Sequence, residues 1–193
     1  MRYKNELFSN ILDFCLEEAL PGIHKAIESN QTNKIIEVVV KKANRDALSG
    51  ARFWDKNYSE HSNYYKAELT EILTTSPNLS SKQCIEYILA RNQYSAKVGS
   101  IQKLVNMSMK YLYILTEFEY AVPHGLNIDF EKCDCPLDSN ILKKLSEKND
   151  IVYKPWTQIL TIDEYSDIQR DISKLDEIKK SNLEFDLKYW GKK

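Results

Sequence analysis

Between Ser100 and Thr116, the residues Ile101, Leu104, Val105, Ser108, Leu112 and Leu115 recur on one helical face, and no glycine or proline interrupts them. So long and regular a run predicts a central helix that the other elements must cover. The rest of the chain supports helices too, because five glycines and five prolines in 193 residues leave few places to break an element. The expected fold is all-α: a compact single domain of several helices over residues 1–193.

Residues 5–20 place Leu7, Ile11, Phe14, Cys15 and Leu20 at helical spacing up to Pro21-Gly22, which stops them. Residues 33–48 open with a β-branched cluster, Ile35, Ile36, Val38, Val39 and Val40. The pattern continues into Ala43, Ala47 and Leu48 with charged helical spacing, so the segment reads as helix. Phe53, Trp54, Tyr58, Tyr64 and Tyr65 crowd together around the start of a helix predicted over 63–74, which ends near Ser76-Pro77. Ser80 with Gln83 forms a capping box for a helix through Arg91, a polar link spans 92–97, and Gly99 predicts a turn. Pro123, Gly125 and Pro136 make 121–137 a loop. Asp138-Ser139 caps a helix to about Lys148, Asp163 caps one over 164–179, and 185–190 is a last short amphipathic piece.

Asp13, Glu17 and Glu18 fall within the apolar N-terminal stretch, and nowhere do eighteen apolar residues run uninterrupted. A cytoplasmic protein that does not engage a membrane is expected. Four cysteines, Cys15, Cys84, Cys133 and Cys135, are too few for a disulfide framework and read as reduced. Glycine-rich phosphate loops, the two-histidine zinc motif, paired Cys-x-x-Cys knuckles and the serine elbow are all missing. Cys133, Cys135 and His124 lie within twelve residues, but structural zinc takes four ligands and a wider cysteine spacing. Neither a metal nor another cofactor is expected.

A net charge of −1 gives no global case for a nucleic-acid partner. Charge is nonetheless uneven: residues 80–115 hold Lys82, Arg91, Lys97, Lys103 and Lys110 against Glu86 alone, a local +4. Lys103 and Lys110 are seven apart, so they share a helix face at a separation of about 10 Å, with Met107 between them and away from the Leu104–Leu112 face. Lysines so placed read equally well as a solvated face. Asp138 at a helix start is held ionised by free backbone amides, and a plain capping role fits it equally well.

Gln102-Lys103, Val105, Lys110 and Leu112-Tyr113, followed after a loop by Pro136-Leu137-Asp138, resemble the helix-hairpin-helix DNA glycosylases, closest to their archaeal 8-oxoguanine branch. The resemblance covers residues 95–145. The family's Leu-Pro-Gly-Val-Gly hairpin is reduced here to Val98-Gly99. The resemblance implies a helix-hairpin-helix glycosylase-like fold, Lys103 as nucleophile, Asp138 as catalytic aspartate and Lys110 as a second pocket lysine. It also implies a monomer that excises a damaged or modified base from double-stranded DNA, with AP-lyase activity through a lysine Schiff base. Backbone amides at Gly99 and Ser100, with Lys97 beside them, are candidates to hold a DNA phosphate. Trp54, Tyr113 and Trp156 are candidates to stack on a flipped base. The alternative is a non-catalytic helical module that binds nucleic acid or a protein through the basic stretch 82–110.

Overall fold

The computed structural model describes residues 15–48, 58–94, 96–117 and 128–189. Among these there is no strand: residues 15–19 are helical and lead into α1 (Ile23–Glu28), α2 (Thr32–Leu48), α3 (Tyr58–Thr75), α4 (Ser81–Ala90), α5 (Val98–Glu117), α6 (Ser139–Asn149), α7 (Ile162–Ser173) and α8 (Leu183–Tyr189). Short 3-10 turns sit at Phe130–Lys132 and Trp156–Gln158. No helix among the described residues is long and apolar enough to cross a membrane.

The β-branched cluster of α2 is helical because burial follows its apolar period. Ile35, Ile36, Val39, Val40, Ala43 and Ala47 are buried, while Glu37, Lys41 and Arg45 between them are exposed. Packing of that stripe outweighs the small propensity cost of the branched side chains. Near its start α4 follows the sequence expectation closely: Ser80 accepts from the Gln83 amide, and the Gln83 side chain accepts from the Ser80 amide. Two helices have bounds that depart from expectation. α3 begins at Tyr58, five residues before 63. α7 is capped by Thr161, with Glu164 closing the box, and it ends at Ser173 rather than 179, so Asp163 lies inside its first turn.

α5 runs through the middle, packed against α2 along one side and α4 along another, with α7 and the 3-10 turn at Trp156 closing further faces. Every residue from Val98 to Leu112 is buried, so the amphipathic pattern marks only the apolar half of a helix that is enclosed all round. Gln102, Lys103, Asn106, Ser108 and Lys110 therefore stand in the core, where each needs a partner.

Gly99 does not turn the chain. It lies within the first turn of α5, where the backbone carbonyl of Trp156 passes so close that a Cβ would sit 1.9 Å from its oxygen. The Gly99 amide donates to the Ile159 carbonyl at 3.1 Å, so this glycine is what lets the 155–159 segment seal the helix start. Gly99→Ala should therefore cost at least about 2 kcal/mol, which for a chain of this size lowers the melting temperature by roughly 4–8 °C. Thermal unfolding followed by circular dichroism measures it, and an unchanged melting temperature would show that the two segments separate freely.

Candidate active site

Residues 133–138 form a buried extended segment with no strand beside it, so its backbone groups must find side chains. They do. The Cys133 carbonyl accepts from Ser181, the Asp134 amide donates to Ser81, and both the amide and the carbonyl of Cys135 pair with the Gln169 carboxamide. On α5, Asn106 donates to the Cys135 carbonyl at 3.2 Å. Gln102 accepts from the Leu137 amide at 3.1 Å and donates to the Leu137 carbonyl at 3.0 Å. One glutamine thus holds both polar groups of Leu137, as a neighbouring strand would.

This clamp has a local consequence. Gln102 precedes Lys103 and Leu137 precedes Asp138, so fixing the first pair brings the second together. Lys103 Nζ donates to Asp138 Oδ2 at 2.8 Å. The other oxygen, Oδ1, accepts from the amides of Asn140 and Ile141 at 2.9 Å each and caps α6. The Lys103 side chain is 9% exposed and that of Asp138 32%, so the pair is set into the core and reached by solvent on the aspartate side.

Two turns along α5, Lys110 Nζ lies 2.6 Å from Asp186 Oδ2, with both side chains buried. The two pairs feel one another. Burial pushes the Asp186 carboxyl up and the Asp138 charge adds to that push, against the pull of Lys110 and Lys103. Burial likewise pushes Asp138 up, but the Lys103 ammonium and the amides of Ile141 and Asn140 outweigh it and hold this carboxyl below its ordinary value. Asp138 stays ionised through neutral pH. Its contribution to stability is present above the ordinary aspartate value and is lost only as pH falls through the lowered folded one. Two cations and two carboxylates make a balanced cluster at the centre of the molecule.

Asp186 is the functional candidate missing from the sequence reading. A signal was present: Asp186 falls three residues after Leu183 and beside Phe185 and Leu187, on the apolar stripe of a short helix, where a carboxylate needs a buried cation. Gln102 and Asn106 carry the same signal, as amides beside the apolar stripe of a long helix. Asn106 also donates to Tyr165, whose hydroxyl donates to Asp134 Oδ2 at 2.7 Å.

Asp134 carries a pH dependence of its own. Burial raises its carboxyl from 3.8 to about 6, against the Tyr165 hydroxyl and Lys82, which pull it down. Between these two values the folded chain keeps a proton that the unfolded chain has lost, so stability falls as pH rises across that window, by roughly 3 kcal/mol in all. Asp134→Asn keeps an acceptor for Tyr165 and removes the titration. The variant should match the parent near pH 4 and exceed its stability by about 2–3 kcal/mol near pH 8. Denaturant unfolding at the two pH values tests this, and an equal gain at both would remove the titration from the account.

The remaining sequence candidates are placed as follows. Tyr113 is half-buried, edge-on to Phe130 with ring centroids 5.1 Å apart, beside a cavity of about 170 Å³ that Leu183 and Glu184 also line. Trp156 is half-buried in its 3-10 turn, with its carbonyl on Gly99. Trp54 and His124 lie outside the described residues. The phosphate site expected at the start of α5 is not available as drawn. The Gly99 amide is taken by Ile159, the Ser100 amide by Lys97, and Ser100 is buried, so of that trio only the Lys97 side chain reaches solvent. Cys133 and Cys135 are free and buried, with thiols pushed up by that burial, and no cluster of metal-ligating side chains occurs among the described residues.

Comparison of the chain with family models, with curated proteins and with solved structures gives no match.

Proposed function

We propose that this chain is a DNA glycosylase with lyase activity, excising a damaged or modified base through Lys103 and Asp138. The observation that carries the reading is the 2.8 Å contact between the two, held by Gln102 on a buried helix and open to solvent at the aspartate. Base excision asks for those two groups. The glycosidic bond breaks with its electron pair leaving on the base, positive charge builds on the sugar, and a carboxylate stabilises it. A neutral amine then bonds to C1′, and opening of the sugar ring gives a Schiff base. Lys103 must first shed its proton to the solvent that reaches the pair on the aspartate side, so that Asp138 keeps the charge that the sugar cation needs.

The binding-module alternative needs residues 82–110 to present their cations to solvent. Lys103 and Lys110 are buried against carboxylates, Lys82 lies 3.9 Å from Glu86, and Arg91 lies 3.4 Å from Glu68. The local +4 of the sequence is therefore largely neutralised in the fold.

The test is to incubate the full chain with duplex oligonucleotides, each bearing one of a panel of modified bases, in the presence of borohydride. A covalent protein–DNA species that depends on Lys103 is the expected result. Absence of both trapped species and alkali-labile product on every substrate overturns the reading.

A further inference from the structure

The face between α2 and α3 carries a pocket that the chemistry at Lys103 does not use. It is a cavity of about 280 Å³ lined by Pro21, Val38, Lys41, Lys42, Asn44, Arg45 and Lys66. Four of these residues are cations and none is acidic, on a chain whose net charge is −1. Asp46 is shared: it bonds Lys42 at 2.8 Å, lies 3.9 Å from Arg45 and accepts from the Tyr111 hydroxyl, while Lys41 and Lys66 also line an adjoining cavity with Glu37 and Glu71. Lys41 and Lys66 make no ion pair among the described residues.

At the base of this pocket stands Asn44, 7% exposed. Its Nδ2 donates to the Ser62 hydroxyl at 2.8 Å, and its Oδ1 is buried with no hydrogen-bond partner. A buried amide half left unsatisfied is costly unless a ligand completes it. A hydroxyl both donates and accepts, so a half-turn of the amide keeps the Ser62 bond and puts the NH2 where the unpaired Oδ1 lies. Four cations around a buried amide donor are the recognition chemistry of a phosphate oxygen.

Beside the pocket stands α5 at Tyr111, about 12 Å along the helix from Lys103. Lys42 Nζ lies 5.9 Å from the centre of the Tyr111 ring, and Tyr111 follows Lys110. We infer that this pocket seats a backbone phosphate of the DNA strand whose modified nucleotide is presented to Lys103. The inference rests on the glycosylase reading and names where the strand is held.

The test compares the wild-type chain with Lys41→Ala/Lys66→Ala, whose side chains make no hydrogen bond or ion pair among the described residues, using a fluorescein-labelled duplex with a tetrahydrofuran abasic analogue. Fluorescence anisotropy over a salt series should show affinity weakened by about five- to tenfold and the salt slope reduced by about 1, as loss of one phosphate contact requires. The melting temperature should be unchanged. An affinity and slope equal to wild type overturn the pocket. So does inorganic phosphate that shifts the amide resonances of α2 while the double variant binds the duplex normally, since the pocket would then take the free anion. If the wild type traps no modified duplex but the double variant still loses DNA affinity, the glycosylase reading falls and the phosphate pocket stands.

Discussion

Lys103→Ala is expected to abolish the trapped protein–DNA species while costing the fold about 2–3 kcal/mol, since the lysine is buried. The side chain is one partner of a pair that solvent reaches, and Asp138 keeps its two amide hydrogen bonds when the lysine is gone. Asp138→Asn separates the carboxylate's two roles. Asparagine caps a helix as well as aspartate, so α6 should persist, whereas the charge that stabilises the developing sugar cation is lost. Single-turnover excision should slow by roughly 10²–10³-fold, the usual scale for removing one preorganised electrostatic contact. Wild-type rates for Asp138→Asn, or trapping that survives in Lys103→Ala, would leave the pair as a structural tie between α5 and α6.

The Lys110–Asp186 pair should behave in the opposite way. Both side chains are buried, at 1% and 5% exposure, so removing either partner strands the other charge in the core. Lys110→Ala and Asp186→Ala should each destabilise by about 3–5 kcal/mol, or roughly 10 °C in melting temperature. Lys110→Met/Asp186→Leu should recover much of that loss, because a buried ion pair exchanged for apolar side chains of similar size is close to neutral. Chemical denaturation of the singles and the double measures the coupling. Singles that cost no more than about 1 kcal/mol would mean that water reaches the pair.

These contrasts follow from a single helix whose two lysines look alike in the sequence. The spacing of Lys103 and Lys110 put them on one face about 10 Å apart, and that face could equally have been solvent. What distinguishes them is the partner each meets, Asp138 from 35 residues on and Asp186 from 76 residues on, together with the depth of burial that packing imposes. The start of α7 differs from expectation because a competing cap is stronger. Thr161 with Glu164 starts α7 because it satisfies two amides at once, and Asp163 within the first turn cannot do so.

By itself the sequence determined that this chain is built of helices, because apolar residues recur at the helical period and few glycines or prolines interrupt them. It also determined where α2, α4, α5 and α6 lie, since a capping box and an aspartate cap act within a few residues of the chain. The tertiary structure decided what the central helix is. Enclosing α5 on every side turned its polar residues into obligatory partners, and Gln102 met that demand by holding Leu137 on both edges. Lys103 and Asp138 meet because of a hydrogen-bonding requirement that only the packed interior imposes.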